Sequence, residues 1–173
     1  KNINIDKIIN SKNLIKKINN KNEINFKSKK FSQNLIDDLN LNIDLAYGRL
    51  IYSKKIFISN NFSTCRGDVN LLSEYPILYF KCSIISKDKK NFLKNFSIKY
   101  KKKNESLKIS ASGSMNILNN KINFNNITMN QDYEASAEDL NYFKKIFETM
   151  LFDEDFLNIF NFEKIRKFIL EVS

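Results

Sequence analysis

Carboxylates crowd one part of this chain: Asp132, Glu134, Glu138, Asp139, Asp153, Glu154 and Asp155. Acid/base or metal chemistry could be built from such a group. They coincide with the starts of helical patterns, however, and a helix N-terminus favours negative charge through its backbone dipole. There is no His among the 173 residues, which removes the commonest general base and metal ligand. Ser-His-Asp and Cys-His hydrolysis are therefore excluded within this sequence. Two Cys, at positions 65 and 82, cannot build a structural zinc site unaided. No catalytic residue, metal or cofactor is expected, and the reading is non-enzymatic.

Basic residues are the other abundant chemistry. The formal charge is +10, which ordinarily suggests a nucleic-acid or anionic-membrane partner. The Asn-, Lys- and Ile-rich composition is what AT-rich codons impose, so Lys here is a default for exposed positions. Lys54-Lys55, Lys87, Lys89-Lys90 and Lys101-Lys102-Lys103 fall almost entirely at expected turns, where they act as solvated tips and edge gatekeepers. Tyr and Phe sit in the apolar phase of their elements, whereas base stacking needs them exposed. Nucleic acid is thus a further alternative, below the other two readings. Arg66-Gly67-Asp68 and the sequons at Asn61, Asn95, Asn104 and Asn126 are expected by chance in so Asn- and Ser-rich a chain.

The elements that would carry these residues divide into three stretches. Residues 1–38 form an N-terminal segment, with Ile5, Ile8, Ile9, Ile15 and Ile18 at near-helical spacing. Asp6 is placed to start that helix, Asn19-Asn20 to end it, and a short strand over Glu23–Lys27 follows. From Leu39 to about residue 130 the period is two, the mark of half-buried antiparallel strands. Leu39, Leu41, Ile43, Leu45 and Tyr47 share a face before a bend at Gly48. The phase breaks at Lys54-Lys55, as at a tight turn or bulge. Cys65, Gly67, Val69 and Leu71 share the next face, then Leu78, Phe80, Cys82 and Ile84. Phe96, Ile98 and Tyr100 read as a strand turned by Lys101–Glu105 into Leu107, Ile109, Ala111, Gly113 and Met115. Asn119-Asn120 fits a two-residue hairpin loop, which would oppose Ile117 to Ile122 and Met115 to Phe124.

Residues 131–173 read as helical. Ser136 and Asp139 resemble a capping box, followed by a stripe of Leu140, Phe143, Ile146, Phe147 and Met150. Asp153 could cap a turn through Phe156 and Ile159, and Asn161 a last helix with Phe162, Ile165, Phe168 and Ile169. These stripes either cover the sheet or dock onto a partner or a membrane surface. The fold expected is β-rich α+β: an antiparallel meander forming a curved sheet or groove, with two to three C-terminal helices. Cys65 and Cys82 lie on apolar faces of neighbouring strands. Direct pairing would need a two-residue turn at Ser73-Glu74, and the longer turn ending at Pro76 should offset them diagonally. Two buried thiols or a disulfide in an exported protein both remain open.

A recurring phrase resembles the AsmA-like superfamily of bacterial envelope proteins related to bridge-like lipid-transfer proteins. One copy is Gly48-Arg49-Leu50-Ile51-Tyr52 with Ile56-Phe57-Ile58. A second is Gly113-Ser114-Met115-Asn116-Ile117 leading to Lys121-Ile122-Asn123-Phe124. Between them stands Cys65-Arg66-Gly67-Asp68-Val69-Asn70-Leu71. The run Ser112 to Ile127 looks most like the C-terminal AsmA-like region, and the likeness spans Leu39 to Met129. The helical C-terminus does not map onto the family pattern.

The resemblance implies a periplasm-facing module of a longer protein, anchored in the inner membrane by a segment upstream of Lys1. Its partners would be phospholipid acyl chains, and its role phospholipid transport or outer-membrane assembly. The residues expected to face lipid are Leu41, Ile43, Leu45, Val69, Leu71, Leu78, Phe80, Ile84, Phe96, Ile98, Leu107, Ile109 and Met115. Periodicity alone does not separate an open groove from a core closed beneath the helices. The alternative is a structural module that docks an envelope partner through its C-terminal helices.

Overall fold

In the computed structural model, residues 11–28, 37–58, 61–95, 98–101, 103–130, 132–151 and 167 are described. Alternating apolar and polar residues along most strands produce one eight-stranded sheet in sequence order. Its strands are β1 (Asn19–Lys27), β2 (Asp38–Ala46), β3 (Arg49–Ile58), β4 (Asn61–Asn70), β5 (Ile77–Ser86), β6 (Leu107–Asn116), β7 (Lys121–Met129) and β8 (Tyr133–Glu134). Every neighbouring pair is antiparallel. The sheet is open: among the described residues β1 has β2 as its one strand neighbour, and β8 has β7. Three described helices accompany it, α1 (Lys12–Ile15), α2 (Lys89–Asn95) and α3 (Ala137–Leu151).

Register places side chains in rows that run across the strands on one face, because partners directly opposite each other point the same way. The first row is Asn20, Leu45, Leu50, Val69, Leu78, Met115 and Ile122. The second is Asn22, Ile43, Tyr52, Gly67, Phe80, Gly113 and Phe124. The third is Ile24, Leu41, Lys54, Cys65, Cys82, Ala111 and Ile127, and the fourth Phe26, Leu39, Ile56, Ser63, Ile84, Ile109 and Met129. A bulge at the Ser112/Gly113 step keeps Ile127 and Met129 on this face.

The opposite face is mainly polar, although Ile51, Phe57, Tyr79 and Ile85 are exposed on it and the Phe57 and Phe62 rings meet there with centroids 5.0 Å apart. Asn40 Nδ2 donates to Glu23 Oε1 at 2.8 Å and Asn25 Oδ1 at 2.6 Å. Thr64 and Ser83 hydroxyls bond at 2.8 Å, and Arg49 Nη2 donates to Asp68 Oδ2 at 2.7 Å.

Two clusters bury the ends of the apolar face. Ile15 of α1 joins Val69 and Leu71, with Leu45, Leu50, Leu72, Leu78 and Ile117 packed around them. At the other end Phe92 and Leu93 of α2 join Leu107, with Ile84, Ile98, Tyr100, Ile109 and Met129. Along the β7 edge, α3 supplies Phe147 against Phe124 (ring centroids 5.7 Å) and Glu148, whose carboxylate accepts the Ile122 amide at 2.9 Å.

Several sequence expectations change. Lys54-Lys55 interrupts nothing: β3 is continuous, and Lys54 lies on the apolar face. Ile98 and Tyr100 are not in a strand; β5 pairs directly with β6, so the chain between them makes an excursion. Asp88 starts a helix there, its carboxylate accepting the Asn91 amide at 2.7 Å.

The β6–β7 loop holds Ile117–Asn120, so Met115 opposes Ile122 and Gly113 opposes Phe124. Asn116 and Asn119 each accept an amide two residues on, and Asn120 adopts φ 57°, which stabilises the longer turn and releases Ile117 to the α1 cluster.

Asn19 and Asn20 begin β1 rather than end a helix. The capping box at Ser136 and Asp139 is present in both directions, at 3.0 and 3.2 Å. The expected elements around Asp6 with Ile5, Ile8 and Ile9, and those from Asp153 through Ile169, lie outside the described residues, as does Phe96.

Candidate functional site

Between the two buried ends the middle rows form an apolar trough. Tyr52, Phe80 and Phe124 alternate with Gly67 and Gly113 across five successive strands. A Cβ on Gly67 would stand 2.8 Å from Tyr52 Cε1, and one on Gly113 2.9 Å from Phe80 Cζ. Each ring therefore occupies the space a side chain on the neighbouring glycine would need, and so covers backbone left bare by its absence. Phe80 and Phe124 meet edge to face with centroids 6.0 Å apart, and Phe124 passes the contact to Phe147.

The adjoining row is lined by small groups. Cys65 and Cys82 sit directly opposite and are bonded to each other, with Cα atoms 4.0 Å apart. The diagonal offset expected from sequence does not occur, because the turn closes symmetrically between Asn70 and Ile77 and preserves register. Ala111 follows on β6. On the other side of the disulfide stands Lys54, opposite Leu41 and Cys65. Its ammonium has no hydrogen-bonding or ionic partner among the described residues, and burial pushes its pKa below the ordinary lysine value. Burial likewise raises the Tyr52 phenol, whose hydroxyl is 3.5 Å from Cys65 Sγ. That sulfur is in a disulfide, so the phenol is the donor.

The expected lipid-facing residues separate into two groups. Leu41, Ile43 and Phe80 lie on the trough, half-buried, together with Lys54 and Ala111. Val69, Leu71, Leu107 and Met115 are 3–7% exposed, with Val69 and Leu71 in the α1 cluster and Leu107 in the α2 cluster. Leu45 and Leu78 pack beside α1, and Ile84, Ile98 and Ile109 beside α2. Sequence reasoning missed Tyr52, Lys54, Gly67, Ala111, Gly113 and Phe124 as trough residues. Carrying the period of two straight through Lys54 would have found the first two.

The polar face has a shallow cleft of about 460 Å³ rimmed by Tyr47, Tyr75 and Tyr79, with Arg49 and Asp68 at its side. Arg49 engages Asp68 through both Nε and Nη2, at 3.2 and 2.7 Å from Oδ2. Among the described residues no three Cys, Asp or Glu converge as metal ligands, and no helix is long and apolar enough to cross a membrane. Compared with family models, with curated proteins and with solved structures, the chain finds no match.

Proposed function

We propose that this sheet is a non-enzymatic, AsmA-like module of the cell envelope that faces the periplasm and contacts phospholipid acyl chains along its trough. The observation that carries this reading is the pattern of burial across the apolar face. Val69, Leu71 and Met115 are buried at one end and Phe92, Leu93 and Leu107 at the other, while the rows between them stay only partly buried from Ile43 and Leu41 across to Phe80 and Ala111. A monomeric surface leaves so long an apolar strip open at a cost, since each methylene moved out of water is worth about 0.8 kcal/mol. Acyl chains laid along it would recover that free energy without any reacting group.

On this reading the module belongs to a longer, inner-membrane-anchored protein that serves phospholipid transport or outer-membrane assembly. The test uses a photoreactive phenylalanine analogue at Phe80, and at Tyr79 on the opposite face as control. Irradiated cells should yield lipid adducts at position 80 and none at 79. Adducts at neither, from protein that also carries no extractable phospholipid, would remove the proposal.

A further inference from the structure

If the trough takes acyl chains, Lys54 gives it a preference among them. Lys54 stands in mid-strand, flanked by Leu41 on β2, Cys65 on β4, and Tyr52 and Ile56 along its own strand. Four of the described cations pair with carboxylates, Lys21 with Asp44, Arg49 with Asp68, Lys89 with Glu105 and Lys121 with Glu148. Lys54 has no such partner among the described residues. An ammonium held against apolar surface is poorly hydrated, and a partner anion recovers part of that loss. Beside it, the Tyr52 hydroxyl donates only to a sulfur, a weak acceptor that an oxyanion would readily replace.

We propose that Lys54 binds the carboxylate of a long-chain fatty acid, whose hydrocarbon tail crosses the disulfide and Ala111 towards Phe124. Direction follows from distance. At about 4.8 Å per strand, β3 to β7 spans roughly 19 Å, while β3 to β1 spans only about 10 Å. An acyl chain covers roughly 15 Å in one leaflet of a bilayer, so only the β7 side accommodates it. The headgroup class follows from size. A carboxylate is no wider than its own chain and can meet the half-buried Lys54 between Leu41 and Cys65. A phosphoglycerol headgroup is bulkier and must project further into water. A bound carboxylate would also draw the Lys54 pKa back upward, by favouring its charged form.

The experiment measures partition of radiolabelled palmitate and of hexadecanol, its neutral counterpart, into the purified full chain. Wild-type protein should prefer palmitate by roughly 10- to 100-fold, the range for one charge-assisted hydrogen bond. Lys54→Met should lose that preference and still take up hexadecanol, while Lys81→Met on the polar face keeps it. If Lys54→Met does not fold by circular dichroism, Lys54→Gln is read in its place. Equal affinity of wild type for both ligands, or a preference that survives loss of Lys54, overturns the assignment and leaves the acyl-chain reading standing. Phosphatidylglycerol vesicles bound as tightly as palmitate in a Lys54-dependent way overturn the carboxylate assignment. Uptake of neither palmitate nor hexadecanol, and no binding to the vesicles, overturns both.

Discussion

Lys54 and Lys55 are adjacent, chemically identical, and face opposite sides of β3. Only register decides which of them meets the trough, and a charged pair in a strand reads from sequence as an interruption. The consequence can be measured. Because burial lowers the Lys54 pKa, the unfolded chain binds more protons than the folded one between that lowered value and the unfolded value near 10.4. Stability contributed through this group therefore rises with pH across that window. Lys54→Met should flatten this part of the pH profile and raise the urea midpoint at neutral pH, where the wild type buries an ammonium. The glycines carry a similar lesson. Gly67 and Gly113 read as permissive strand residues, but their role is to receive the rings of Tyr52 and Phe80. Gly113→Val would drive a side chain into the Asn123 carbonyl and the Phe80 ring, costing about 1–3 kcal/mol in urea denaturation.

At the scale of elements, strand identity was legible wherever apolar and polar residues alternate without interruption, as in β2, β4, β5 and β6. Loops were less so. The Asn119-Asn120 signal marked the right place, but Asn116 supplies a side-chain acceptor that lengthens the turn, a contact invisible to dipeptide rules. Ile98 and Tyr100 alternate like a strand, yet β5 and β6 already occupy each other's edges.

The disulfide ties two strands across a 17-residue separation, which should contribute about 3 kcal/mol by restricting the unfolded chain. Reduction, or Cys65→Ser with Cys82→Ser, should lower the melting temperature by roughly 6–12 °C in a chain of this size. Glu148→Ala on α3 would leave the buried Ile122 amide unpaired, at about 1–3 kcal/mol. Asp139 supplies a pH-dependent contact. Hydrogen bonds from the Ser136 backbone amide, the Ser136 hydroxyl and the Tyr133 phenol hold its carboxyl below the usual range. Its contribution is complete above the unfolded pKa and is lost as pH falls through the folded one. Amide exchange at Ser136 and Asp139 should accelerate in acid before that of β6.

For the whole molecule, the open antiparallel meander followed from a long run of period-two sequence, but the site within it did not. A trough is a property of rows that cross strands, and its members are scattered from Leu41 to Phe124. The two edges also differ in a way periodicity does not show. Glu148 and β8 occupy the outer side of β7, whereas among the described residues β1 meets one strand and remains exposed throughout.

The excursion between Ser86 and Leu107 bears on how such a chain comes to be folded. The β2–β3 turn is only Tyr47-Gly48, with both residues at positive φ (49° and 92°), so that hairpin can nucleate within microseconds. Joining β5 to β6 means closing a much longer loop, at about 0.6 kcal/mol for each doubling in length. The chain should thus assemble as two halves, strands up to β5 and strands from β6 onward, that meet late along a single seam. That seam passes between Phe80 and Gly113 and between Cys82 and Ala111, so the trough is completed only in the final docking. Mutations along it should slow refolding more than equally destabilising changes in the β2–β3 hairpin.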